Sequence, residues 1–141
     1  MKITYLIAVC ALLSSPALLG AEDAKRPTAP TASESKTYKN VGVEQFDKLR
    51  ADKKNVVLDV RTPTEFAAGH IPGAMNIDWN SPDFGKKASE LDNNKTYLVH
   101  CAAGGRSAKA SDKLTKMNFT SVYNLEGGMR AWEKAGKPVE R

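Results

Sequence analysis

Thr96-Tyr97-Leu98-Val99-His100-Cys101-Ala102-Ala103-Gly104-Gly105-Arg106-Ser107 carries the reading of the chain. Its first five residues form a short, nearly continuous apolar run, the pattern of a strand covered on both faces. The run ends in a cysteine and small residues, after which Ala110, Leu114 and Met117 fall on one helical face. Working outward, Val56-Val57-Leu58-Asp59-Val60 is a second such strand, followed at once by Thr62-Pro63-Thr64-Glu65. That tetrad has an N-cap hydroxyl, a proline at the first helical position and a glutamate three residues past the cap, and Gly69 can close the helix. Ala74 to Asp78 and Ser121 to Leu125 read as further strands, with a short one near Tyr38 to Val41. Helices are expected from Ser81-Pro82 (Phe84, Ala88 and Leu91 inward), over Met129 to Ala135, and around Val43, Phe46 and Leu49. Strands alternating with helices predict an α/β domain of three layers: a mostly parallel sheet of about five strands with helices on both faces.

The chain has 141 residues, of which 41% are hydrophobic and 26% charged, with a formal net charge of +5. That is enough for one domain. The basic residues are scattered, without the dense run of a nucleic-acid-binding tail, so a preference for small anions is all the charge supports. Residues 1–21 read as a secretory signal peptide. Lys2 is followed by the apolar run Leu6 to Leu13, then by small residues that place cleavage after Gly20 or Ala21. The run falls short of the roughly 20 apolar residues a membrane span needs, so no stable membrane insertion is expected after cleavage. Cys10 lies inside this run and does not fit a lipid attachment site. Residues 22–37 are rich in Ala, Thr, Ser, Pro and Lys and read as a disordered tether. The folded unit is then 38–141, and a secreted, periplasmic location is expected.

Cleavage leaves one cysteine, Cys101, which excludes an internal disulfide and a thiolate metal site. In a parallel sheet the reactive groups gather outside the carboxyl ends of the strands, which brings Arg61 and Cys101 to one edge. The small residues after Cys101 allow the main chain to curl so that its N–H groups face the sulfur. The helix start and Arg106 add positive charge, and together these favour a thiolate. The alternative is a buried, inert cysteine beside a surface arginine.

The loop Cys101-Ala102-Ala103-Gly104-Gly105-Arg106-Ser107 resembles the active-site loop of single-domain rhodaneses, a family of sulfurtransferases. Three further stretches match in order: Asp59-Val60-Arg61; Glu65-Phe66 with Gly69-His70-Ile71-Pro72-Gly73-Ala74; and Leu125-Glu126-Gly127-Gly128-Met129-Arg130-Ala131-Trp132. The resemblance implies a rhodanese-like fold and sulfur transfer through a persulfide on Cys101. A small anionic donor such as thiosulfate would be held by Ala102, Ala103, Gly104, Gly105 and Arg106, and cyanide or a thiol, including a protein thiol, would accept the sulfur. Two histidines and one cysteine are not spaced as metal ligands, and no cofactor or nucleic-acid partner is expected. For Arg61 the resemblance implies a substrate contact, whereas general ion-pair grounds give a structural pair with Asp59 or Glu65.

Two other functions compete. One is a persulfide carrier serving a specific partner without efficient turnover. The other is a cysteine phosphatase of the same fold, disfavoured because that class places five residues between Cys and Arg. Here Ala102 to Gly105 make a ring one residue tighter. A Cys101–His100 dyad is not expected, since consecutive strand side chains point to opposite faces. His70 reads as a structural hydrogen-bonder, Met129 and Trp132 as core, and Thr62 and Glu65 as helix caps.

Overall fold

A computed structural model describes residues 37–141; the expected leader (1–21) and the tether as far as residue 36 lie outside them. Strands β1 (Lys39–Val41), β2 (Val56–Asp59), β3 (Met75–Asn76), β4 (Thr96–His100) and β5 (Ser121–Leu125) alternate with helices α1 (Val43–Ala51), α2 (Pro63–Ala68), α3 (Phe84–Ser89), α4 (Gly105–Lys116) and α5 (Gly128–Lys134). The five strands form one sheet in the order β1-β5-β4-β2-β3, every pairing parallel. This is the α/β architecture expected from the sequence.

The sheet is buried on both sides because its strands carry apolar residues at alternate and at consecutive positions. Leu58, Tyr97, Val99 and Val122 pack with Phe84, Ala88, Ala110 and Leu114 beneath α3 and α4. Val41, Val57, Leu98 and Leu125 pack with Phe46, Met129 and Trp132 beneath α1 and α5. Burying each such aliphatic side chain contributes about 1.5–3 kcal/mol.

Two elements are shorter than the sequence suggests. In the Ser81-Pro82 segment, the Asp83 N–H bonds the Ser81 hydroxyl and the Phe84 N–H bonds the Ser81 carbonyl, making a turn that delays α3 to Phe84. Leu91 therefore packs from beyond the helix end. At the sheet edge, β3 spans only Met75–Asn76, although the Ile77 and Trp79 N–H groups still bond the Asp59 and Val60 carbonyls.

From β2 the chain crosses to β3 on one side, and from β4 it crosses to β5 on the other, while β2 and β4 are themselves neighbours. A crevice opens where adjacent strands send their chains in opposite directions, at their carboxyl ends. Asp59 is paired in register with His100, so Arg61 and Cys101 emerge there together.

Candidate active site

Cys101 follows the last residue of β4 and lies on the α4 face of the sheet, with His100 on the opposite face against Phe46. The loop beyond it is short. Gly104 adopts φ +107°, a conformation L side chains rarely reach, and α4 begins at Gly105. Arg106 and Ser107 thus belong to the first turn of the helix rather than to a loop ahead of it.

This turn wraps the sulfur. The Gly104 N–H donates to Cys101 Sγ at 3.0 Å, and the Ser107 hydroxyl lies 3.4 Å from Sγ and 3.1 Å from the Gly104 carbonyl. Burial pushes the Cys101 thiol pKa up, but the Ser107 hydroxyl and the main-chain N–H groups of Ser107, Gly104 and Ala103 together outweigh it, leaving the pKa below the ordinary thiol value. Donors aimed at a sulfur withdrawn from water favour the thiolate, the nucleophilic form. Cys101 is 1% exposed. The loop that covers it, Ala102, Ala103, Gly104 and Gly105, carries nothing larger than a methyl group.

Arg106 is held by an acid. Its guanidinium makes a two-pronged pair with Glu65, at 2.8 Å on each arm. Glu65 also caps α2: it accepts from the Thr62 N–H and hydroxyl, and the Thr62 hydroxyl accepts from the Glu65 N–H. The hydrogen bond from Arg106 is the largest influence on Glu65; burial opposes it, Thr62 adds to it, and the carboxyl pKa falls from 4.5 to about 2. A carboxylate whose pKa drops on folding stabilises the fold fully above its unfolded value and ceases to do so as pH falls through its folded value. We expect Glu65→Gln to cost the protein a constant amount of stability above about pH 4.5, with the difference from wild type shrinking towards pH 2, read as thermal midpoints across that range.

Arg61 turns inward, away from a role as an open anion contact. Its Nε and Nη2 bond the Asp59 carboxylate at 2.7–3.0 Å, its Nη2 also bonds the Gly69 carbonyl at 2.7 Å, and the residue is 6% exposed. Of the two partners considered from the sequence, Asp59 is the one engaged, and Glu65 goes to Arg106. His100 is fully buried, its Nε2 3.7 Å from Asp59 Oδ2, too far for a hydrogen bond. Burial lowers its pKa to about 4, so it is neutral at physiological pH. His70 Nδ1 lies 2.9 Å from the Phe66 carbonyl, and the ring stacks on Phe66.

Sequence reasoning gave Ser107 no role of its own, and gave Glu65 only that of a helix cap or a partner of Arg61. The serine carried a signal, a hydroxyl one residue past the arginine at a helix start. The Glu65–Arg106 pair carried none, because its members are 41 residues apart. Among the described residues no cluster of His, Cys, Asp or Glu could hold a metal ion.

This parallel α/β domain sets one cysteine among hydrogen-bond donors at the switch point of its sheet, an arrangement that favours a thiolate there. The rhodanese-like domain family matches residues 42–135, and the chain belongs to that family. It is 37% identical over 120 residues to thiosulfate sulfurtransferase 16, chloroplastic, of Arabidopsis thaliana, covering 77% of this chain and 98% of that protein. It is 39% identical over 104 residues to a thiosulfate sulfurtransferase of Pseudomonas putida, covering 73% and 91%. The crystal structure of a rhodanese-related protein from Thermoplasma volcanium superposes with a TM-score of 0.65 at 33% identity, covering 73% of this chain and 98% of that one. These relatives make rhodanese-type sulfur transfer the family-level activity of the chain.

Proposed function

We propose that the protein takes the outer sulfur of a small anionic donor such as thiosulfate onto Cys101 and passes it to a thiol or to cyanide. In the first half-reaction the thiolate attacks the sulfane sulfur. The new S–S bond forms as the donor's own S–S bond breaks, and its electron pair leaves with sulfite. In the second, the acceptor attacks the terminal sulfur of the persulfide and the Cys101 thiolate is the leaving group. The first half-reaction starts from, and the second regenerates, a negative charge on Sγ, where the Gly104 N–H and the Ser107 hydroxyl lie, and that arrangement is the observation that carries the reading. Arg106, at the rim, supplies cationic character tempered by Glu65. The test is the release of sulfite from thiosulfate coupled to thiocyanate formation with cyanide. Turnover that is lost once Cys101 is alkylated by iodoacetamide supports the proposal, and no turnover by the unmodified folded protein, or turnover that survives alkylation of Cys101, refutes it.

The carrier reading has one observation in its favour, the 1% exposure of Cys101, which restricts entry of free donors. On that reading sulfur arrives faster from a protein persulfide than from thiosulfate, and comparing the two loading rates decides between them.

We place this activity outside the cytoplasm. Lys2 and the apolar run Leu6 to Leu13, followed by Ser14 to Ala21, support export with cleavage near Ala21. The mass of the protein recovered from an extracytoplasmic fraction is expected to begin after Gly20 or Ala21. Recovery of the intact chain from the cytoplasm alone would contradict export.

A further inference from the structure

The turn after β5 and the first turn of α5 lie against the sulfur-binding loop, and their sequence, Glu126-Gly127-Gly128-Met129-Arg130, is not used by the chemistry above. Two contacts join them. The Met129 N–H donates to the Cys101 carbonyl at 2.7 Å, and the Arg130 N–H donates to the Ala102 carbonyl at 3.1 Å. Between these contacts and the loop there is no room for a side chain at residue 128. A Cβ on Gly128 would lie 2.4 Å from the Cys101 oxygen and 2.8 Å from the Ala102 carbonyl carbon.

We infer that Gly128, with the amides of Met129 and Arg130, is the positioning device of the sulfur site: it holds the Cys101 and Ala102 carbonyls on the α5 side and so aims the following N–H groups away from α5. The reason is the planarity of the peptide unit. In a trans peptide the C=O and the next residue's N–H point in opposite directions, and no peptide bond among the described residues is cis. Anchoring the Cys101 and Ala102 oxygens therefore orients the N–H groups of Ala102 and Ala103. The Ala103 N–H is one of the groups that draw the thiol towards its anion. Gly128 itself has φ +56°, so glycine serves twice, for the backbone angle and for the close approach.

This inference rests on the reading of Cys101 as the sulfur-carrying nucleophile. The charged groups around Cys101 are unchanged by a substitution at 128: Arg106 with Glu65, Arg61 with Asp59, the neutral His100, and the exposed Glu126 and Arg130. A shift in thiol titration then reports main-chain placement.

The experiment compares Gly128→Ala with Gly136→Ala in the full-length protein. Gly136 has φ +69° and open space around it, so alanine there brings similar backbone strain with no contact at the site. The pH dependence of iodoacetamide alkylation, followed on the peptide that carries Cys101 so that Cys10 does not contribute, gives the Cys101 midpoint, and circular dichroism gives the fold. Gly128→Ala is expected to raise the midpoint by about one unit and to slow alkylation near neutrality about tenfold. Gly136→Ala is expected to lower the melting temperature and leave the midpoint where it is. Should Gly128→Ala not fold, Arg130→Pro removes one donor within the first helical turn, where proline is tolerated. Read against Arg130→Ala, so that the lost charge cancels, it is expected to move the midpoint the same way. A folded Gly128→Ala or Arg130→Pro with an unshifted midpoint overturns the inference. Sulfur loading from thiosulfate is followed in parallel on the wild type, and a failure there overturns the sulfur-transfer reading.

Discussion

Cys101→Ser is expected to lower sulfur transfer by roughly three orders of magnitude or more while the domain stays folded. The fold is expected to survive because the substitution changes one atom and the new hydroxyl has hydrogen-bonding groups beside it. The Gly104 N–H keeps an acceptor, since an oxygen at the Sγ position lies within its reach. Activity is lost for a different reason. The donors at residues 103, 104 and 107 draw a thiol towards its anion from an ordinary value of 9.0, whereas an alcohol starts far too high for the same donors to ionise it. An alkoxide is also a poor leaving group when the acceptor attacks. The paired readout is thiocyanate formation alongside near-ultraviolet circular dichroism. Wild-type transfer from a folded Cys101→Ser protein would remove the cysteine from the mechanism.

Arg61→Ala is expected to produce a large loss of stability, about 3–5 kcal/mol, or a fall in melting temperature of roughly 15–30 °C. The Asp59 side chain is fully buried, and Arg61 is its counter-charge as well as the donor to the Gly69 carbonyl. Removing the arginine leaves a carboxylate without water or cation, the costly half of a broken buried pair. It also releases the Gly69 carbonyl at the end of α2, next to the Thr62–Glu65 cap that holds Arg106. Combining Asp59→Asn with Arg61→Ala is expected to recover part of the loss, because the uncompensated charge is then gone, and the double-mutant cycle measures how much. If Arg61 were instead an open substrate contact, Arg61→Ala would raise the KM for thiosulfate with little change in melting temperature.

The strands were legible because Val56 to Val60 and Thr96 to His100 are apolar at consecutive positions, a pattern that needs cover on both faces of a parallel sheet. The start of α2 was legible because its whole signal, Thr62, Pro63 and Glu65, lies within four residues. The same locality hid other features. Whether Ser81-Pro82 opens a helix or a turn depends on where the Ser81 hydroxyl finds a donor, and it takes the Asp83 N–H. The loop could be seen to suit a thiolate, yet the donors that hold it depend on how α4 is rotated about its first turn. The fates of the two arginines were decided across the fold. Asp59 lies two residues from Arg61 and claims it, which leaves Glu65 to reach 41 residues ahead for Arg106. Gly127-Gly128 stands out in the sequence only within the Leu125 to Trp132 stretch; the packing of Gly128 against the Cys101 carbonyl emerges only when β5 lies beside β4.

Intact mass of the protein after incubation with thiosulfate tests the central claim, that the ring of donors at the end of β4 makes Cys101 a sulfur carrier. The account predicts a gain of one sulfur atom per chain, lost on addition of cyanide and never acquired by Cys101→Ser. A wild-type mass that thiosulfate leaves unchanged, or a gain that persists in Cys101→Ser, would contradict it.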